Sequence, residues 1–280
     1  MTEDLLARSS AHWSEERRAG MEAFYALATD DYRHLAEARD WAGWLAEAQA
    51  AAGDRPLRLL DVACGSGKFP EALVRHAGVA SAGLGEVATD LLDPSAFSIA
   101  EARAALPAPF RAAREHETTL QDFAPPEGGY DVVWATHALY AVPEAELAAA
   151  AARFRQAIAP AGRGVIAHSA AEGHYVAFHR RYLEAFGPAG AAPYVSAEKL
   201  ADALRAAGAR VEVTEIRYDS VAGPEAADAV EGYLQRCVFD DSVPLASMRA
   251  APSLAAYLDA CRSDAGWRFP QVVHLIDVGA

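Results

Sequence analysis

Leu59-Leu60-Asp61-Val62-Ala63-Cys64-Gly65-Ser66-Gly67 decides the reading of this chain. Leu57 to Cys64 is a short apolar run of the kind a buried strand requires, and it empties directly into a glycine turn. Phe69 to Ala77 then reads as a helix. Glycines at such a turn let backbone approach a ligand closely, and the ligand meets the N-terminal end of the next helix, where unpaired N–H groups point outward. In doubly wound sheets these ligands lie beyond the carboxyl ends of the strands, where strand order reverses. A nucleotide-type site follows from that arrangement alone.

The alternation continues on both sides of the turn. Upstream, residues 9 to 51 contain no proline and space Trp13, Met21, Phe24, Tyr25, Leu27, Leu35, Trp41, Trp44 and Leu45 on helical faces, until Gly53, Asp54 and Pro56 break the pattern. Residues 1–52 therefore read as an N-terminal helical cap, and 53–280 as the α/β domain. Downstream, Glu86 to Leu92 is a second strand. Asp93-Pro94-Ser95 opens a helix to about Ala105, with Asp as N-cap and Pro in the first turn. Glu115 to Leu120 is a weaker third strand. Tyr130 to Thr136 is a fourth, its Val132-Val133-Trp134 run suiting a sheet covered on both faces. A helix from Glu144 to Ala159, a strand from Gly164 to His168, helices at 173–186 and from Ser196 to Ala207, and a strand from Arg210 to Tyr218 follow. Residues 219–268 read as a helical insertion, before a last strand from Gln271 to Val278. Such alternation argues for a parallel sheet with helices on both faces.

The Asp61-x-x-x-Gly65-x-Gly67 pattern resembles motif I of the class I S-adenosylmethionine-dependent methyltransferases, and the resemblance extends over roughly residues 57 to 218. It implies a doubly wound, mostly parallel seven-stranded sheet, the Rossmann-like methyltransferase fold, with S-adenosyl-L-methionine as cofactor. A Walker phosphate loop does not fit, because Gly67-Lys68 lacks the upstream glycine spacing and the Ser or Thr after Lys. The NAD fingerprint fails as well, with Pro70 at the third glycine position.

By the same resemblance the turn residues Asp61, Ala63, Cys64, Gly65, Ser66 and Gly67 line the cofactor, and an acid ending strand two bonds the ribose hydroxyls. Asp93, in the segment Asp93-Pro94-Ser95, fills that place, and Asp90 competes for it; the plain alternative for either is an N-cap or a solvated carboxylate. The adenine contacts fall at Thr119 and Leu120, where the family more often has an acid and a small residue, with Asp122 close behind. Tyr130 to Tyr140 resembles motif IV of the small-molecule branch, which sets Thr136 and His137 beside the cofactor's methionine part. The Asn-Pro-Pro-Tyr variant used on nucleic acid bases is absent.

Further residues join the site if that geometry holds. Tyr25 and Tyr32, seven apart on the cap, offer hydroxyls to the cofactor carboxylate and aromatic faces to its sulfonium, although ordinary core or surface packing is the slightly favoured account of them. Tyr140, His168, Tyr175 and His179 are acceptor contacts; Tyr175, His179 and Tyr182 share one helix face, a stripe that core packing also produces. If the nucleophile must lose a proton, His137 and then His179 are the expected bases.

Composition bounds the partners. With 25 basic and 39 acidic residues in 280, the formal charge of -14 repels nucleic acid, and no basic patch offsets it. Cys64, Cys237 and Cys261 lack metal-ligand spacing, so no metal is expected, and three cysteines set far apart suit a reducing cytoplasm better than a disulfide framework. No stretch approaches the roughly 20 apolar residues of a membrane span, and the N-terminus lacks a secretory apolar core. The expected activity is methyl transfer to an N, O or C nucleophile of a small molecule, in specialised metabolism. Two competing readings share the fold: cyclisation of S-adenosylmethionine itself, releasing methylthioadenosine, and a non-catalytic cofactor-binding protein. The insertion, with Tyr233, Phe239, Met248, Tyr257 and Trp267, either covers the cleft or makes a homodimer contact.

Overall fold

A computed structural model describes residues 5–279. Helices α1 (Leu5–His12), α2 (Arg18–Glu37) and α3 (Trp41–Ala52) precede β1 (Leu57–Val62), α4 (Lys68–His76), β2 (Val87–Asp93), α5 (Ala96–Ala105), β3 (Phe110–Glu117) and β4 (Tyr130–Thr136). After them come α6 (Leu147–Ala157), β5 (Ile158–Ser169), α7 (His174–Phe186), α8 (Ala197–Ala206) and β6 (Arg210–Ala222). The chain ends with α9 (Ala227–Arg236), α10 (Leu245–Ala250), α11 (Pro252–Ala260), the short β7 (Arg262–Ser263) and β8 (Gly266–Gly279).

The sheet order is β3-β2-β1-β4-β5-β8-β6, with β7 hydrogen-bonded only to β8. Strands β1 to β5 pair in parallel, whereas β8 runs antiparallel to both β5 and β6. The chain steps outward from β1 to β3 and then returns to lay β4 on the other side of β1. That reversal opens a crevice between β1 and β4, above their carboxyl ends.

Strand periodicity sorts the core. Leu60 and Val62 of β1 join Val133 and Ala135 of β4, with Phe154 of α6 and Leu200 and Leu204 of α8, on one face. Leu57, Leu59, Val132 and Trp134 face the other way, onto Trp41 and Leu45 of α3 and Phe69 and Leu73 of α4. A third cluster packs Leu27 and Ala28 of α2 against Tyr175 and Phe178 of α7, Val230, Tyr233 and Leu234 of α9, and Phe269. Residues 5–52 of the expected cap therefore serve two places: α3 covers the sheet, and α2 joins the 223–265 helices above the strand ends.

Three boundaries differ from expectation. The third strand is Phe110–Glu117 rather than 115–120; it is an edge strand on which only Phe110 is buried, so its side chains carry little apolar alternation. Strands β6 and β8 pair from Arg210 with Gly279 out to Ala222 with Trp267, which narrows the expected 219–268 insertion to 223–265. Half-buried Asp219 and exposed Val221, beyond the expected end at Tyr218, break the apolar signal there. The fifth strand starts at Ile158, directly after α6.

Candidate active site

The crevice is built first by backbone. Beyond β1 the chain turns through Ala63 (φ 51°), Gly65 (φ 54°) and Gly67 (φ 71°), the last being the N-cap of α4. A methyl at Gly67 would come within 3.3 Å of the Ala102 Cα and carbonyl oxygen, so glycine answers both the left-handed turn and the close approach of α5. Among the described residues the non-glycine positions with positive φ are Ala63, His137 and Phe239, and all three line this cleft. Such conformations cost free energy and concentrate where a site requires them.

Asp93, at the end of β2, accepts from the backbone N–H of Gly65 at 3.2 Å and of Ser95 at 2.9 Å. Burial pushes its carboxyl up to about 6, against those two hydrogen bonds. The N-cap of α5 is Ser95, whose hydroxyl accepts from Ser98 N–H and donates to the Trp13 carbonyl at 2.6 Å, bringing the N-terminal segment to the cleft. Asp61, in β1 just before the turn, also lines the cleft, its carboxyl raised to about 7 by burial and then by the charge of Asp93. Ala63, Cys64 and Gly65 line the cleft with Pro94, Thr119 and Leu120, while Ser66 and Gly67 lie just outside it. The Thr119 hydroxyl is turned to Asp122 at 2.7 Å.

Asp90 is not part of this site. It accepts from the Tyr130 hydroxyl at 2.7 Å and from Arg114 N–H at 3.1 Å, and its other neighbour is His116. Three residues before Asp93 in one strand, it projects from the opposite face.

The other half of the cleft is aromatic. At the end of β4 stand Thr136 and His137, whose ring shares a 2.7 Å hydrogen bond through Nδ1 with the Tyr140 hydroxyl. The His137 ring also lies 6.0 Å from that of Tyr32, edge to face, and 5.6 Å from that of Tyr175. Its Nε2 is buried, with no hydrogen-bond partner among the described residues. Burial, then the nearby His168, holds the imidazole down to about 3, so it is neutral throughout the physiological range. Tyr25 and Tyr32 of α2 complete the wall, and burial raises the Tyr25 hydroxyl to about 12.

Two expected acceptor contacts stand one layer back. His168 packs 4.1 Å from the Tyr140 ring and pairs through Nε2 with the Val195 carbonyl at 2.9 Å. His179 stacks on Tyr194 at 3.6 Å and accepts from that residue's N–H at 3.1 Å. Neither lines the cleft, because the 187–196 loop folds over them, and burial depresses them to about 4 and about 3. Of the α7 stripe only Tyr175 reaches the cleft; Tyr182 bonds Asp240.

Sequence reasoning passed over Asp31 and Arg236, both buried and both lining the cleft. Asp31 accepts from Tyr175 at 2.5 Å and from Ser220 at 3.1 Å, and burial raises its carboxyl to about 7. Its position beside Tyr32 on the same helix was the available signal.

Residues 32–213 match the family model described as a methyltransferase domain. The chain belongs to that family. Trp13, Tyr25, Asp31 and Arg236 fall outside the matched segment, so the family part carries the glycine turn, Asp93 and His137 while much of the roof is this chain's own. Magnesium protoporphyrin IX methyltransferase from Synechocystis PCC 6803, solved with bound S-adenosylhomocysteine, superposes with a TM-score of 0.56 at 13% identity, covering 99% of this chain and 100% of that one. The YcgJ protein of Bacillus subtilis gives 0.54 at 12% identity, covering 85% and 96%. At such identities these likenesses establish the fold. No curated protein sequence matches the chain. Family and fold together make this a class I S-adenosylmethionine-dependent methyltransferase, as the Asp61 to Gly67 turn implied. No helix among the described residues is long and apolar enough to cross a membrane.

Proposed function

We propose that the protein methylates an N, O or C nucleophile of a small molecule, in specialised metabolism, inside the aromatic half of this cleft. One observation carries the reading: the polar turn with Asp93 and the aromatic wall of Tyr25, Tyr32, His137, Tyr140 and Tyr175 open into a single cleft at the strand-order reversal. Its roof of buried side chains from α2 and α9 suits a compact acceptor better than a polymer.

The residues present fit S-adenosylmethionine. Asp93 offers carboxylate oxygens to a ribose diol, the Gly65 turn admits a ligand against backbone, and Thr119 with Leu120 flanks the adenine side. Tyr25 and Tyr32 present aromatic faces and hydroxyls to the methionine part, where a sulfonium cation is favoured. When bound, the cofactor supplies an activated methyl group on sulfur. The protein's share is to position the two reactants and exclude water.

For a nucleophile that must give up a proton, Asp31 is the better acceptor. Its carboxyl, raised to about 7, matches neutral pH, whereas His137 at about 3 is too weakly basic and serves by hydrogen bonding through Nε2. Tyr175, bonded to Asp31 and packed on His137, fixes both.

Calorimetric titration with S-adenosylhomocysteine tests the cofactor half of the reading. Saturable binding is expected for the wild type and its loss for Gly65→Val, where φ is +54° and the Tyr25 hydroxyl lies 3.8 Å from the added carbon. Equal affinity in the two proteins would contradict it.

A further inference from the structure

Arg236 is the last residue of α9, and its side chain is turned inward, with a relative exposure of 3%. It lines the cleft. Its guanidinium carbon lies 4.4 Å from the centroid of the Trp13 ring, and a carbon added at Gly20 of α2 would stand 3.5 Å from Nη1. Nη1 therefore backs onto α2. The other edge is different: Nε and Nη2 are buried and have no hydrogen-bond acceptor among the described residues. Those are the two nitrogens whose N–H bonds run parallel, the edge that grips a carboxylate with two hydrogen bonds.

The surrounding charges do not satisfy it. Asp241, the carboxylate that acts most strongly on this guanidinium, is bound by Arg17 and lies 3.5 Å from His12 Nε2. Tyr25 and Tyr194 are the other polarising neighbours, and burial holds both hydroxyls protonated. A buried cation with an unpaired donor edge is costly unless an anion meets it. Although burial lowers it to about 10, the group stays charged at neutral pH.

We propose that Arg236 is a carboxylate-binding subsite in the roof of the cleft, holding a ligand carboxylate side-on through Nε and Nη2. It rests on the methyl-transfer reading only for the two sources of that carboxylate: the methionine end of the cofactor, or an acidic acceptor. The residue lies outside the family-matched segment, in the helices between β6 and β8, so this chain supplies the anchor from its own roof.

The test compares the wild type with Arg236→Gln and Arg236→Lys, all checked for unchanged melting so that binding is read on folded protein. Two probes are titrated first: S-adenosylhomocysteine and its decarboxylated analogue. If the cofactor is the source, the wild type favours the carboxylate form by about tenfold or more, Arg236→Gln abolishes that preference, and Arg236→Lys, with charge but no fork, recovers part of it. If the acceptor is the source, both probes bind the variants normally. Hexanoate and 3-phenylpropanoate then bind the S-adenosylhomocysteine-loaded wild type about tenfold better than their amides do, and Arg236→Gln erases the difference. A variant that alters neither discrimination overturns the proposal. Wild-type protein that ignores S-adenosylhomocysteine but still prefers acids to amides would sink the methyl-transfer reading and leave the subsite standing.

Discussion

The Tyr175 hydroxyl donates to Asp31 at 2.5 Å, tying α7 to α2 across the roof of the cleft. Ser220 donates to the other Asp31 oxygen at 3.1 Å, and Gln271 donates in turn to Ser220 at 3.0 Å and Tyr233 at 3.2 Å. A carboxyl from the N-terminal helix is thus held by α7 and by the two antiparallel strands β6 and β8. Hydrogen bonds lower its pKa and burial raises it, and burial wins, leaving it at about 7.

The sign of the resulting pH dependence is fixed. Asp31 moves from 3.8 in the unfolded chain to about 7 when folded, so between those values the native state holds the extra proton and stability falls as pH rises. Between pH 5 and 8 the wild type is expected to lose about 2.5 kcal/mol more than Asp31→Asn, measured by urea unfolding at each pH. Equal losses in the two proteins would show that the carboxyl titrates near its ordinary value.

Asp31→Asn is also expected to lower kcat by about 100-fold, with little change in S-adenosylmethionine affinity, and to remove a rise in wild-type kcat through about pH 7. His137→Gln, which keeps a hydrogen-bonding group near Tyr140, should cost less and leave that pH profile in place. An unshifted profile in Asp31→Asn, or its loss in His137→Gln, would transfer the proton-accepting role to the histidine.

The two aspartates of β2 separate binding from stability. Asp93→Ala is expected to weaken S-adenosylhomocysteine binding by about 30-fold, the loss of hydrogen bonds to a charged group. Asp90→Ala should leave binding alone and lower the melting temperature, because the Tyr130 hydroxyl and Arg114 N–H lose their acceptor. Calorimetry and thermal melts on both variants decide this, and a binding defect confined to Asp90→Ala would reverse the assignment.

Gly78 and Gly67 share a left-handed backbone, with φ of 68° and 71° and ψ of 10° and 23°, but of the two only Gly67 is crowded, by Ala102 at 3.3 Å. Gly78→Ala should cost about 1 kcal/mol, the left-handed penalty alone. Gly67→Ala should cost about 2 to 3 kcal/mol in denaturant titrations, since α5 must also shift. Similar costs at the two sites would mean that the approach of α5 is not what selects glycine there.

How much the sequence disclosed depended on whether a residue's place is set locally. Leu59 to Gly67 and Tyr130 to Thr136 were legible because a strand buried on both faces is a continuous apolar run, and the glycine turn after it has few conformations. The edge strand Phe110–Glu117 was not, since solvent accepts polar residues along it. Asp90 competed with Asp93 for the ribose, although the two-residue period of a strand puts them on opposite faces. His168 and His179 were misplaced because the loop carrying Tyr194 and Val195 folds back over them, a contact no periodicity encodes. Asp31 and Arg236 escaped notice because a charged residue on an amphipathic helix ordinarily faces water.

Methyl transfer is read out by product identification by mass spectrometry after incubating the protein with S-adenosylmethionine, with and without a panel of small-molecule acceptors. S-adenosylhomocysteine is expected only when an acceptor is present, together with one acceptor heavier by a methyl group. Methylthioadenosine released from S-adenosylmethionine alone would contradict it and point to cyclisation of the cofactor instead.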